Sequence, residues 1–200
     1  MNIPALKVTD PSLLLLLAGA MHLIFRLAYF FYVGFSLKKA QLDRTSSNEV
    51  RYARWLKFKK RAAFILDADG VTLAFVIAAS PNSIAGNVNL VYLRIIGVAM
   101  VCIGIAIKLS AYRVVGTKGY YWYNFFCAHE EQEYVAKGVY KYLNNPMYGP
   151  GYLHVFGFPL LFLSFYGLVA ALFDWIVVWA FYFIFERSRT FYYRRSYQRS

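Results

Sequence analysis

Long apolar segments separated by shorter polar ones dominate the chain. Five of them have spanning or near-spanning length: 12–35, 62–80, 89–111, 149–165 and 168–185. A membrane-crossing α-helix needs about 20 predominantly apolar residues, because the hydrocarbon core of a bilayer is about 30 Å thick. The pattern therefore predicts a bundle of about five transmembrane helices, and its last two helices form a hairpin with a tight turn after the fourth segment.

Composition supports the same fold class. Of the 200 residues, 60% are hydrophobic and 20% are aromatic, which exceeds the needs of an ordinary soluble domain. The first apolar segment is too long for a secretory signal and lacks a charged start and a cleavage pattern, so we expect it to remain in the mature protein. Since no internal repeat or low-complexity linker occurs, we predict one all-α integral membrane domain over 1–200. Residues 1–111 supply three spans, and residues 112–200 supply a loop, the hairpin and a basic tail.

The positive charge follows a membrane rule. A net charge of +12 would suggest nucleic acid binding in a soluble protein, but here Lys and Arg collect on one side of the predicted membrane, so we expect no nucleic acid partner. The basic loop 36–61 holds nine of the 22 basic residues, the tail after Glu186 holds five, and the link 81–88 holds none. With five spans, these counts place segment 112–145 and the tail at the cytoplasmic face. The basic loop would also attract anionic lipid headgroups, at about 1 kcal/mol per residue.

A polar segment with backbone-bending residues, 138–149, runs directly into an apolar span. Pro146 disfavours helical geometry at Asn145, and Pro150 suits the first turn of a new helix. The segment is therefore predicted to be a shaped loop that ends at a helix N-terminus. Such a terminus presents N–H groups to an anion, so we interpret the loop as part of a binding site.

Several ionisable residues lie inside predicted spans, where lipid makes them costly. His22 and Arg26 are four residues apart and share one helix face, which should point inward. Arg26 is a candidate for binding a lipid phosphate, or for an interhelix hydrogen bond or snorkelling to the interface. Asp174 could receive an ammonium group or act as a helix-packing partner, and His154 could be a base or a hydrogen-bonded histidine of the bundle interior.

Six aromatic residues follow two glycines in segment 116–126, where the third span leaves the membrane. Aromatic residues at that level usually form an interfacial belt. Their ring faces can also bind a sulfonium or a methylated ammonium, so Tyr120 and Tyr123 are kept as candidate site residues. For a metal, by contrast, the sequence offers no CxxC, HExxH or paired-carboxylate motif, and we predict no metal site.

The order of these motifs resembles the membrane phospholipid methyltransferases, in particular the phosphatidylethanolamine N-methyltransferases. The resemblance covers the Gly-Thr aromatic segment 116–126, the Asn-Asn-Pro-Met-Tyr sequence 144–148, a hairpin turn at 167–168 and the Phe-Glu tail 185–190. The wider family includes isoprenylcysteine carboxyl methyltransferases, in which the loop typically reads Arg-His-Pro-x-Tyr. Because two asparagines occupy the first two positions here, the loop is more similar to the phospholipid branch.

Two positions depart from the family pattern. Glu186 is followed by Arg187, where phospholipid enzymes usually show two adjacent glutamates. The nearest match to the Gly-x-Gly of the third span is Gly-Val-Ala at 97–99. Gly97 and Gly104 form an alternative pair, because small residues let membrane helices approach closely.

The resemblance implies that S-adenosylmethionine binds between the loop, the tail glutamate and the hairpin, and that a lipid enters sideways from the bilayer. Glu186 would accept hydrogen bonds from the cofactor's ammonium or ribose, and backbone N–H groups over 147–151 would bind its carboxylate. The predicted cofactor-binding residues are Gly97, Gly116, Tyr120, Tyr140, Asn144, Asn145, Pro146, Met147, Tyr148, Gly149 and Glu186. The predicted substrate-binding residues are Arg26, Arg113 and Tyr123.

Methyl transfer to an ethanolamine headgroup needs a neutral amine aimed at the methyl donor, so positioning and a proton acceptor are both required. The predicted catalytic candidates are Glu186, His154 and Asp174, with His129 as a further possible base. A pocket of low dielectric constant would also lower the pKa of the amine.

We therefore predict an S-adenosylmethionine-dependent N-methyltransferase that acts on the ethanolamine headgroup of a membrane phospholipid. The predicted location is an integral membrane position, in the endoplasmic reticulum of a eukaryote or the inner membrane of a bacterium, with the site on the cytoplasmic face. Two alternatives stay open at this point. One is carboxyl methylation of isoprenylcysteine or another membrane-borne acceptor, and the other is a noncatalytic protein that binds anionic lipid.

Overall fold

The computed structural model describes residues 12–43, 45–84, 89–127 and 137–187. Its α-helices, in chain order, are α1 (Leu13–Ala28), α2 (Gly34–Leu42), α3 (Asn48–Ala78), α4 (Leu90–Tyr120), α5 (Tyr123–Phe126), α6 (Leu153–Leu161) and α7 (Phe165–Phe181). π-helical turns join α1 to α2 (Tyr29–Val33) and extend α7 (Tyr182–Glu186), and 3-10 turns cover Gly138–Lys141 and Pro150–Tyr152. The described ranges contain no strand, so the predicted all-α fold is confirmed.

Three helical segments are long and apolar enough to cross a membrane: Leu13–Leu42, Leu90–Phe126 and Phe165–Glu186. The predicted membrane bundle is confirmed, and all five predicted segments contain helix. Two of them do not meet these criteria by themselves. The first half of α3 is rich in Lys and Arg, and α6 is only 9 residues long.

Most of the predicted basic loop 36–61 is helical, so the prediction of a loop there is wrong. α2 continues to Leu42 and α3 begins at Asn48, which leaves only residues 43–47 between the two helices. The Ser47 hydroxyl caps α3 by accepting the Val50 N–H at 3.5 Å. Lys and Arg are good helix formers, and therefore the helices continue past the apolar segments instead of ending with them.

The C-terminal hairpin is present, but its turn lies at 162–164 and not at 167–168 as predicted. Leu163 has a left-handed backbone with φ of 53°. The next residue, Ser164, accepts the Gly167 N–H at 2.9 Å and so caps α7. Gly167 consequently belongs to the first turn of α7, because the capping serine sets the start of this helix.

α4 and α6 pack with their backbones in close approach. A Cβ atom at Gly104 would lie 2.3 Å from the backbone nitrogen of His154, and one at Gly97 would lie 2.7 Å from that of Leu161. On α6, a Cβ at Gly157 would lie 2.7 Å from the carbonyl oxygen of Gly97. Gly97 and Gly104 thus form the close helix contact expected of small residues, and this contact positions the start of α6.

Hydrogen bonds join neighbouring segments at both ends of the bundle. At one end, the Asn82 N–H donates to the Phe162 carbonyl at 3.0 Å, which joins the segment after α3 to the hairpin turn. At the other end, the Trp55 indole N–H donates to the Tyr121 carbonyl at 3.0 Å, which joins α3 to the end of α4. The second end also contains α5 and Glu186. The candidate site is built at this end.

Candidate functional site

The loop before α6 has a defined backbone shape. The Asn145 side-chain oxygen accepts the Tyr148 N–H at 3.3 Å, and its carbonyl accepts the Gly149 N–H at 3.0 Å. The Gly151 N–H donates to the Pro146 carbonyl at 2.8 Å, and Pro150 opens the 3-10 turn that leads into α6. The predicted shaped loop that ends at a helix N-terminus is therefore confirmed.

The same hydrogen bonds correct one expectation for this loop. The N–H groups of Tyr148, Gly149 and Gly151 all donate hydrogen bonds to oxygen atoms of the loop. The Tyr152 N–H donates to the Gly149 carbonyl at 2.9 Å. Pro150 has no N–H to offer. The backbone over 147–151 thus does not present a row of N–H groups to a cofactor carboxylate, because the tight turn uses those of Tyr148, Gly149 and Gly151 internally.

Glu186 joins three separate segments at the end of α7. One carboxylate oxygen accepts hydrogen bonds from the Trp122 indole N–H and from the Tyr148 hydroxyl, the latter at 2.7 Å. Desolvation and the nearby Glu186 raise the pKa of Tyr148 well above its ordinary value, so its hydroxyl stays protonated and donates. Glu186 is only 9% exposed. Its carboxylate therefore positions the loop and the α4–α5 connection against α7.

A cavity of about 190 Å³, here called the polar cavity, opens beside Glu186. Its walls come from the end of α4, from α5, from the loop and from the end of α7. Seven predicted cofactor-binding residues line it: Tyr120, Tyr140, Asn144, Asn145, Met147, Tyr148 and Glu186. The remaining wall residues are Val115, Gly119, Trp122, Asn124, Phe125 and Tyr182.

A second cavity of about 290 Å³, the charged cavity, lies deeper in the bundle. Its lining includes the cations Arg26 and Lys108 and the carboxylates of Asp67, Asp69 and Asp174. With histidine counted as neutral, these five groups give a formal charge of minus one, which favours a cationic occupant. Tyr29, Tyr152 and His154 add polar atoms to the same wall.

The two cavities adjoin. They share a wall made of Tyr120, Trp122, Met147 and Tyr148. Ligand pockets usually have volumes of about 300 to 1,000 Å³, so each cavity alone is small for a complete substrate. Together they provide one polar and one charged compartment, separated by three aromatic rings and the Met147 side chain.

A buried ionic network forms one side of the charged cavity. The Arg26 guanidinium lies 2.6 Å from Asp69 and 2.5 Å from Asp174, and it donates to the Tyr152 hydroxyl at 3.3 Å. His22 hydrogen-bonds to Asp174 at 3.1 Å. All five side chains are at most 7% exposed. Since α1, α3, α7 and the start of α6 each contribute, the network joins four parts of the bundle.

Three members of this network, His22, Asp69 and Asp174, bring potential metal-ligand atoms within 4.8 Å of one another. They are too far apart in sequence for any spacing motif to reveal them. The Arg26 guanidinium lies between the two carboxylates and already supplies a positive charge there. We therefore interpret the cluster as a hydrogen-bonded ion network.

Comparison with known proteins identifies the family. Residues 92–198, more than half of the chain, match the model of the phospholipid methyltransferase family. The chain belongs to the phospholipid methyltransferase family. The sequence resemblance described above is thereby confirmed.

Several curated relatives of this chain are named phosphatidylethanolamine N-methyltransferases. The protein of Komagataella phaffii is 27% identical over 146 residues, which is 72% of this chain and 16% of that protein. That of Saccharomyces cerevisiae is 36% identical over 108 residues (54% and 12%), and that of Aspergillus flavus is 33% identical over 118 residues (58% and 12%). The chain thus spans only 12% to 16% of the length of these relatives. No solved structure matches it.

The predicted catalytic candidates of this chain are distributed over both cavities. Glu186 lines the polar cavity, whereas His154 and Asp174 line the charged cavity. His154 is the second residue of α6, and its Nδ1 is 2.7 Å from the Gly151 carbonyl. Asp174 is completely buried in the ionic network. His129 lies outside the described residues.

Four predicted cofactor-binding residues shape the site without lining either cavity. Gly97 packs against α6, as described above. Gly116 has φ of 62° and ψ of −175° and kinks α4 just before the polar cavity, which a residue with a side chain would adopt only with strain. Pro146 is completely buried, and Gly149 is the residue before the 3-10 turn. Their place in the structure is that of supports for the loop and for the helix ends.

Two predicted substrate-binding residues lie away from both cavities. Tyr123 is only 2% exposed and packs edge-on against Trp55 with 4.9 Å between ring centroids, with the Lys118 ammonium 4.4 Å from its own ring. Arg113 is exposed on α4. A substrate role for these two is not supported by the cavities, because the turn before α5 places Tyr123 in the aromatic core. Arg26, the third one, does line the charged cavity.

Several site residues are absent from the sequence-based prediction, among them Asp67, Asp69, Lys108, Trp122 and Tyr152. Asp69 and Lys108 had a usable signal, since each is an ionisable residue inside a predicted span. The sequence gives no signal that singles out Trp122 among the neighbouring aromatic residues. Its role follows from the hydrogen bond between its indole and Glu186, which only the structure shows. Tyr152 follows the loop and is recognisable only from its distance to Arg26.

Proposed function

We propose that this chain forms the methyl-transfer site of an S-adenosylmethionine-dependent N-methyltransferase for the ethanolamine headgroup of a membrane phospholipid. The observation that carries the proposal is the pair of adjoining cavities, one with a polar lining and one with a charged lining. Family membership supports a methyl-transfer reaction. The names of the relatives support phosphatidylethanolamine as the acceptor, although the chain spans only a small part of each.

The polar cavity is proposed to hold the methyl donor. The chemistry of its lining fits S-adenosylmethionine: Glu186 suits an ammonium or ribose hydroxyls, and the amides of Asn144 and Asn145 suit the polar edges of a nucleoside. The rings of Tyr120 and Trp122 suit a sulfonium, because aromatic faces attract cations. When bound, this cofactor supplies an electrophilic methyl group.

The charged cavity is proposed to hold the lipid headgroup. An ethanolamine phosphate carries one positive and one negative charge, and the lining of this cavity likewise carries both signs. Asp67 and Asp69 suit the amine, and Lys108 suits the phosphate. The excess negative charge of the lining favours retention of a cation before it loses its proton.

His154 is proposed as the acceptor of the amine proton. A backbone carbonyl can only accept a hydrogen bond, so the contact of His154 Nδ1 with the Gly151 carbonyl places a proton on that nitrogen in the neutral ring. Nε2 then carries the lone pair, as a general base requires. Asp174 is less suited, because a proton taken up there would weaken its ion pair with Arg26 and its contact with His22. Glu186 lines the opposite cavity.

The proposed orientation puts both cavities near the cytoplasmic face of the membrane. The distribution of Lys and Arg supports this side. A soluble cofactor would reach the polar cavity from the cytoplasm, and the lipid would reach the charged cavity from the bilayer. In a eukaryote, the corresponding membrane is proposed to be the endoplasmic reticulum, and in a bacterium the inner membrane.

The direct test measures transfer of a labelled methyl group from S-adenosylmethionine to lipid by the purified chain. Liposomes that contain phosphatidylethanolamine should yield labelled lipid, whereas phosphatidylglycerol liposomes, which offer no amine, should not. Labelling of a farnesylcysteine analogue alone would instead establish a carboxyl methyltransferase and reject the proposed acceptor. His154→Gln should lower the rate far more than the affinity for S-adenosylmethionine, since it removes a base and leaves the polar cavity intact.

Cofactor affinity tests the assignment of the two cavities. Asn145→Ala and Glu186→Gln should each weaken S-adenosylmethionine binding by about tenfold or more, because hydrogen bonds to charged groups contribute about 1.5 to 3 kcal/mol. Glutamine retains an acceptor for Trp122 and Tyr148, so the fold should persist. The matched control is Glu49→Gln, at an exposed position of α3, which should leave the affinity unchanged. Calorimetry measures the affinity of each variant. Unaltered affinity in both site variants would show that the donor binds elsewhere.

A further inference from the structure

A third cavity, the basic cavity, lies outside the two cavities assigned to methyl transfer and shares no lining residue with them. It has a volume of about 550 Å³ and lies between α2, the first half of α3 and α5. Its charged lining residues are Lys39, Asp43, Arg51, Arg54, Lys57 and Arg61. Five cations against one carboxylate give this cavity a formal charge of plus four.

The single carboxylate that lines the basic cavity already forms hydrogen bonds and an ion pair within the protein. Asp43 accepts hydrogen bonds from the Ser46 hydroxyl at 2.7 Å and from the Ser46 N–H at 3.2 Å, and it forms an ion pair with Arg54. Hydrogen bonding by Ser46 lowers the pKa of Asp43 to about 2, so the group is ionised at neutral pH. Asp43 therefore compensates Arg54 and leaves the other cations to a different partner.

Arg51 is the residue that points most directly to an anionic ligand. Its side chain lines the basic cavity, yet the residue is only 7% exposed. One guanidinium nitrogen donates to the Asp43 carbonyl at 2.6 Å, whereas Nε has no hydrogen-bond partner among the described residues. None of the carboxylates in the described ranges lies within ion-pair distance of Arg51. A buried charge without a counter-charge is strongly unfavourable, and a bound anion would remove that penalty.

We propose that the basic cavity is a binding site for a phosphate group, carried by a lipid headgroup or by a small soluble molecule. Phosphate suits a guanidinium that still has a donor to offer, with the ammonium of Lys57 and the guanidinium of Arg61 around it. Tyr32 and Phe58 stack with 6.5 Å between ring centroids and form an apolar part of the wall. Tyr32 belongs to a candidate membrane span, so the cavity extends from a polar helix end toward the level of lipid.

Binding measurements on the full chain in a neutral detergent test this site independently of methyl transfer. Inorganic phosphate and short-chain phosphatidic acid are titrated separately and followed by calorimetry. Arg51→Gln should weaken binding by about tenfold or more, as expected for hydrogen bonds to charged groups. Lys57→Gln, at an exposed position that leaves the fold intact, should weaken it about fivefold, the equivalent of about 1 kcal/mol. Lys60→Gln, exposed on the same helix but outside the cavity, should leave it unchanged.

The pattern of outcomes decides both the site and the source of the phosphate. Binding of phosphatidic acid alone supports a lipid headgroup site, binding of inorganic phosphate alone supports a soluble ligand, and binding of both supports a site for phosphate in general. Failure of both probes to bind would overturn the proposal. An equal loss in Lys57→Gln and Lys60→Gln would also overturn it, since diffuse attraction to a basic surface would then explain the binding.

Discussion

Replacing Arg26 by methionine should destabilise the bundle by about 3 to 5 kcal/mol, the usual cost of breaking a buried ion pair from one side. Arg26 is 4% exposed and contacts two carboxylates, Asp69 at 2.6 Å and Asp174 at 2.5 Å. Methionine retains much of the side-chain volume and removes the charge. Asp174 would keep its hydrogen bond from His22 at 3.1 Å, but both carboxylates would lose the only cation within 3 Å among the described residues.

The two cysteines provide the assay. Cys127 is 6% exposed in the aromatic core, whereas Cys102 is exposed on α4. In a Cys102→Ala background, the reaction of a thiol-specific dye with Cys127 reports unfolding as denaturant is added. The free energy of unfolding of the Arg26→Met variant is then compared with that of its parent. Arg94→Met, at an exposed position, is the matched control and should change it by less than about 0.5 kcal/mol.

A double variant separates the ion network from general packing. If unpaired carboxylates cause the loss, Asp174→Asn added to Arg26→Met should cost less than the sum of the two single substitutions, because the second change removes one of the stranded charges. An unfolding free energy of Arg26→Met within about 1 kcal/mol of the parent would refute the reasoning. It would mean that water or a rearranged neighbour compensates the two aspartates.

Two further predictions concern the hairpin and its packing, and both use the same labelling assay. Gly104→Ala should destabilise the bundle by about 1 to 3 kcal/mol, because its Cβ would lie 2.3 Å from the His154 backbone, whereas Gly19→Ala, with no heavy atom within 4 Å, should be neutral or stabilising. Equal effects would contradict the close α4–α6 approach. Ser164→Ala should cost about 0.5 to 2 kcal/mol through loss of the α7 cap, and an unchanged unfolding curve would show that the cap is dispensable.

The parts of the site that are local in sequence were accessible from the sequence. Proline positions alone predict the bent loop, and the motif order predicts that Asn145, Tyr148 and Glu186 belong to one site. The helices follow from apolar runs of spanning length. Their ends do not, because good helix formers such as Lys and Arg extend α2 and α3 beyond the lipid-compatible sequence, and because Ser164 sets the start of α7.

The parts that depend on distant contacts were not accessible. His22, Asp69 and Asp174 are separated by dozens of residues, and nothing in their local sequences indicates that Arg26 lies between the two carboxylates. The rule that an ionisable residue in a span points inward identifies such residues one at a time, but it does not pair them. Tyr123 shows that residue type alone does not determine where a side chain points either. Its aromatic character fitted a cation site, but the turn before α5 directs its ring against Trp55.

The two buried arginines show how the same physical argument distinguishes two cavities. Both are nearly inaccessible to solvent, and a buried guanidinium is tolerated only when its charge is compensated. Arg26 has two carboxylates within 2.6 Å, so the charged cavity is compensated within the protein and keeps an excess of negative charge for a cation. Among the described residues, Arg51 donates to a carbonyl and forms an ion pair with no carboxylate, which is why we proposed an anion for its cavity. The same argument therefore supports the proposed amine in the charged cavity and the proposed phosphate group in the basic cavity.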